Sequence, residues 1–105
     1  MISDDRAEAA LNFLAETDEE AAELKANVER CEYKLKALKA TVFSLSEGTV
    51  ADRNATVEMS AEVQRAWNAH CDAIKAYNTV ANKRTTQVLI AEVWRTCSAN
   101  RRKAA

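Results

Sequence analysis

Residues 14–45 read LAETDEEAAELKANVERCEYKLKALKATVFSL, and the spacing within this stretch decides the fold. Leu14, Thr17, Ala21, Leu24, Val28, Cys31, Leu35, Leu38, Val42 and Leu45 follow one another at alternating steps of three and four without a slip. That rhythm puts the side chains on one stripe of an α-helix, the seam of a coiled coil. Thr17 is the only polar member of the stripe. The period of two that marks a half-buried strand is absent from the stretch.

Upstream, Ser3 is placed to cap this helix, and Asp4 and Asp5 lie in its first turn, where acidic groups complement the helix dipole. The predicted helix covers about residues 3–46. Gly48, the sole glycine, sits just beyond as a left-handed terminator. Thr49-Val50-Ala51-Asp52 then forms a variant of the capping box and opens a short connecting helix over about 50–58. Ser60, with Glu62 in the next turn, opens a second long helix over about 60–102.

The second long helix carries two apolar seams. One runs Trp67, Ile74, Ala81, Val88; the other runs Ala73, Tyr77, Val80, Ala91, Trp94. Leu89, Ile90 and Val93 widen the surface further. A helix apolar on more than one face packs against more than one neighbour, and the first helix cannot cover both seams. The expected assembly is a dimer forming a helical bundle, with the end near Trp94 as an alternative docking site for another protein. Trp67, Ile74, Tyr77, Val80, Val88, Ala91 and Trp94 are the candidate oligomer or partner interface.

Composition agrees with an all-α chain. There is no proline, alanine fills about a fifth of the 105 positions, and Glu, Lys, Leu and Arg are plentiful. At this length one domain, 1–105, is expected. Apolar residues at 48%, charged residues at 30% and a net charge of −1 suit a soluble folded protein. The charges are unevenly placed. Residues 1–30 hold nine acidic and three basic side chains, whereas residues 83–103 hold six basic and one acidic. Antiparallel pairing brings these opposite blocks together, so the two long helices are expected to form a hairpin of roughly 65 Å.

No constellation for catalysis, metal or cofactor is legible. His70 and Cys71 are adjacent and point about 100° apart on a helix, so they do not chelate as a pair. Cys31, Cys71 and Cys97 are widely spaced, an odd count without a Cys-x-x-Cys pair or a secretory leader, as expected of free thiols in the cytoplasm. The triplet Asn54-Ala55-Thr56 is read as coincidental to glycosylation. The longest apolar run, Val88 to Ala91, is too short to span a bilayer, and no membrane partner is expected. The acidic run Glu16, Asp18, Glu19, Glu20, Glu23 reads first as a solvated helix face.

The basic end offers more. Lys83, Arg84, Arg95, Arg101, Arg102 and Lys103 gather around Trp94, the combination that phosphate contact and base stacking require. Cations also suit a helix C-terminus for dipole reasons, and a Trp on an apolar seam is a packing residue.

The ending Ile90-Ala91-Glu92-Val93-Trp94-Arg95-Thr96-Cys97-Ser98-Ala99-Asn100-Arg101-Arg102, with its V-W-R followed by R-R, resembles that of small helical proteins encoded in bacteriophages and prophages. Gly48-Thr49-Val50-Ala51-Asp52-Arg53, Ser60, Tyr77-Asn78 and Lys83-Arg84 extend the likeness over roughly residues 30–102. The resemblance implies a phage accessory protein in the bacterial host cytoplasm, its partners among phage or host DNA recombination and replication proteins, and it transfers no catalytic residue. The chain length is also similar to that of WXG-type secreted helical hairpins, but their Trp-x-Gly turn is missing here.

Overall fold

The computed structural model describes residues 1–104. They form three helices: α1 (Asp4–Leu45), α2 (Val50–Met59) and α3 (Ala61–Ala104). Among the described residues there is no strand. The three helices fall within about two residues of the bounds expected from the sequence.

Each boundary has a local cause. Ser3 accepts the Arg6 N–H on Oγ at 3.1 Å and the Ala7 N–H on its carbonyl at 3.0 Å, satisfying donors that α1 itself cannot. At the far end the chain reverses through Gly48, whose φ of +104° is open to glycine and strained for other residues. Thr49 caps α2 reciprocally: its Oγ1 accepts the Asp52 N–H while its own N–H donates to Asp52 Oδ2, both at 3.1 Å. Ser60 alone separates α2 from α3. It donates its N–H to Val57 O at 3.2 Å, closing α2, and its Oγ accepts the Val63 N–H at 3.3 Å, opening α3.

The chain divides into two compact units. The first joins residues 1–22 to residues 78–105. Its helices run antiparallel, since Trp94 reaches Asp4 whereas Arg84, earlier in α3, reaches Leu14, Thr17 and Asp18, later in α1. Its most buried residues are Ala7 and Ala10. They continue the α1 stripe two positions before Leu14, where alanine's weak hydropathy hid it.

The second unit spans residues 23–77. Leu35 of α1, Val57 of α2 and Val63 of α3 form its buried centre, with Leu38, Val42, Phe43 and Ala66 packed around them. The Arg53 guanidinium lies 5.6 Å from the centre of the Phe43 ring, a cation–π contact that ties α2 to α1.

In α3 the inward stripe reads Val63, Ala66, His70, Ala73, Tyr77, then Val80, Arg84, Gln87, Ala91, Trp94 and Ser98, all buried or half-buried, again in steps of three and four. It follows the second of the two sequence seams. The first seam is its flank: Ile74 and Ala81 are half-buried there, while Trp67 and Val88 are exposed.

Candidate interaction surface

Arg84 occupies a position in the inward stripe of the first unit. Its Nη1 donates to the Leu14 carbonyl and to Thr17 Oγ1, each at 2.7 Å, and its Nη2 meets Asp18 Oδ1 at 3.2 Å. Thr17 in turn donates to the Phe13 carbonyl at 2.7 Å. The one polar position of the α1 stripe and the one basic position of the α3 stripe therefore meet. Arg84 is turned into the helix pair, with its side chain only 21% exposed, and does not face outward as a phosphate contact would.

Nearer the chain ends, the Trp94 Nε1–H donates to Asp4 Oδ1 at 2.7 Å, and Arg6 donates to Gln87 Oε1 at 3.0 Å. Trp94 is half-buried with its polar edge satisfied, a packed aromatic that still walls two open grooves. One groove, of about 300 Å³, is mostly apolar and is lined by Leu11, Leu14, Val88, Ala91, Glu92, Trp94 and Arg95. The adjoining one, of about 520 Å³, is lined by Asp4, Trp94, Arg95, Ser98, Arg101 and Arg102.

The remaining cations of the basic end are exposed: Lys83, Arg95, Arg101, Arg102 and Lys103. Arg101 donates to Ser98 Oγ at 3.2 Å. Three of these arginines share the larger groove with the Asp4 carboxylate, which lowers its positive potential beside Trp94.

Large apolar side chains are exposed in both units: Tyr33, Leu45, Val50, Met59 and Trp67 in the second, and Met1, Leu11, Val88, Leu89 and Val93 in the first. Leu11, Val88, Leu89 and Val93 are 54%, 40%, 56% and 49% exposed. Around residues 88–94 the helix is apolar on its inner face, both flanks and its outer face, a distribution found where a helix is covered on all sides. Leu11 was not legible as part of this surface, because it stands one residue off the α1 seam. Its signal lies in the interval of seven that separates it from both Asp4 and Asp18.

The other candidate interface residues distribute differently. Tyr77, Val80 and Ala91 are half-buried in the inward stripe. Trp67 belongs to the second unit, is 52% exposed, and stands edge-on to His70 with 6.1 Å between ring centres. Among the described residues, no three His, Cys, Asp or Glu side chains gather to hold a metal ion, the three cysteines are free, and no helix is long and apolar enough to cross a membrane.

Compared with protein-family models, curated proteins and solved structures, the chain matches none of them.

Proposed function

We propose that this is a non-enzymatic interaction protein, an oligomeric helical bundle serving phage DNA recombination or replication as an accessory or adaptor in the bacterial host cytoplasm. The observation that carries the interaction reading is the apolar exposure of the first unit: Leu11 and Val88 line the Leu11–Trp94 groove, and Leu89 and Val93 are exposed on the outer side of α3. At roughly 25 cal/mol per Å² of apolar surface removed from water, covering such a patch is a substantial driving force for association. The phage context rests on the V-W-R and R-R ending.

A second reading is direct nucleic-acid binding through Arg95, Arg101, Arg102 and Lys103. It is favoured by their outward placement beside Trp94, and opposed by Asp4 in the same groove and by the commitment of Arg84 to Thr17 and Asp18. A virion-assembly role would use the apolar surface with a different partner.

The test is affinity capture from phage-carrying cells with the wild-type chain and with Leu89→Glu/Val93→Glu. Capture of recombination or replication proteins by the wild type and its loss in the variant supports the proposal. Identical capture by both removes the apolar surface from it, and selective capture of structural proteins redirects it to assembly. Salt-sensitive DNA retention that Arg95→Glu/Arg101→Glu/Arg102→Glu abolishes would establish the second reading instead.

A further inference from the structure

We propose that the flank of the first unit carrying Leu11 and Val88 is covered by a second copy of this chain, docked about a two-fold axis parallel to the helices of that unit. The inference rests on the interaction reading above and names its partner.

Surface area supplies the first argument. A compact protein of 11.6 kDa exposes roughly 5,800 Å². This chain exposes 7667 Å². The excess, which belongs to both units together, is larger than the roughly 800 Å² that a standard interface removes from each partner.

The second argument is the order of side chains on the flank beside the seam, where residues seven apart share a face. On α1 the flank reads Asp4, Leu11, Asp18; on α3 it reads Ala81, Val88, Arg95, Arg102. Leu11, Val88 and Arg95 line one groove, and Asp4, Arg95 and Arg102 line the next. The surface is therefore acidic along α1, basic along the end of α3, and apolar between them.

A two-fold axis offers two face-to-face arrangements of this surface. With the axis across the helices, each α1 meets the other α1. Residues 1–22 hold seven acidic side chains and one basic, so that arrangement sets acid against acid. With the axis parallel to the helices, each α1 lies antiparallel on the partner's α3 at an unchanged level. Leu11 then meets Val88, and Asp4 stands by Arg95 and Arg102. Both halves of the interface are made twice, as a closed two-fold contact requires. Like charges facing each other cost several kcal/mol and opposite charges select the register, which favours the parallel axis.

The experiment uses two full-length variants that leave the seam intact, Leu11→Glu and Val88→Lys, with mass read by light scattering and association by titration. The wild type is expected at twice the chain mass. Each variant alone should dimerise at least about ten-fold more weakly, the size of effect typical of a central interface residue. Mixing the two should restore association as a one-to-one heterodimer, because a Glu at position 11 then faces a Lys at position 88 across the interface while the unchanged Leu11 and Val88 meet in the other half. Dimeric variants, or no recovery on mixing, would overturn the docking. A monomeric wild type that still captures a partner in a manner sensitive to Leu89→Glu/Val93→Glu overturns the second copy as occupant, and the oligomeric bundle with it, and leaves the adaptor reading standing. A monomeric wild type without such capture overturns both.

Discussion

Arg84 joins a half-buried guanidinium to a helix carbonyl, a hydroxyl and a carboxylate, and each of the three lies on α1. A charged side chain in a seam stabilises little by itself, because desolvation offsets much of what its partners return. Its stronger effect is on register, since a slipped pairing would leave Arg84 against apolar neighbours. Two substitutions separate these effects. Arg84→Ala, which deletes the bonds and the packed stem, should lower unfolding free energy by about 1–3 kcal/mol. Arg84→Met keeps the stem and removes the charge, and should be near neutral or stabilising. Urea titration reads both as shifts in midpoint at an unchanged slope. A large loss in Arg84→Met would mean that the charge itself holds the pair together. Sequence reasoning placed Arg84 among surface cations because formal charge is legible and side-chain length is not. A long stem lets a basic residue sit in an apolar stripe and carry its charged end to polar partners at the edge.

At the scale of elements, the ends of helices were more readable than their faces. Ser3, Gly48, Thr49, Asp52 and Ser60 act through backbone donors one turn away, so their roles follow from local sequence. The inward face of α3 depends on what α1 offers opposite it, and its polar members His70, Arg84 and Gln87 broke the pattern that hydropathy alone can follow. The early α1 seam was missed for the converse reason: Ala7 and Ala10 pack fully but carry almost no signal. The α1–α2 connection permits a sharp expectation. A Cβ at Gly48 would lie 2.7 Å from Asp52 Oδ2 and 3.0 Å from Asp52 Cβ, at a φ of +104°. Gly48→Ala should therefore cost about 1–2 kcal/mol of stability. It should also displace Asp52 from the Thr49 N–H, seen as faster amide exchange at Thr49. Unchanged stability and exchange would show that the connection relaxes freely.

For the molecule as a whole, the buried side chains that anchor it are few and small: Ala7, Ala10, Leu35, Val57, Val63 and Ala73. A core of this kind gives a modest stability to a lone chain, and association adds to it by mass action. The thermal midpoint should accordingly rise with protein concentration across a hundredfold range, and the rise should shrink in Leu11→Glu. A midpoint independent of concentration would argue that the isolated chain is the stable species. The all-helical character was legible in full because missing proline, scarce glycine and abundant alanine act everywhere along the chain. The exposed apolar surface was legible only in part, since exposure is a property of the folded pair of helices. The contact between Thr17 and Arg84 spans 67 positions of the chain. A change at Thr17 takes away one of Arg84's three partners, and a change at Arg84 leaves the Thr17 hydroxyl with the Phe13 carbonyl alone. Descent with modification therefore alters the two together more readily than singly, and the pairing should be written as covariation in the lineage that carries the fold.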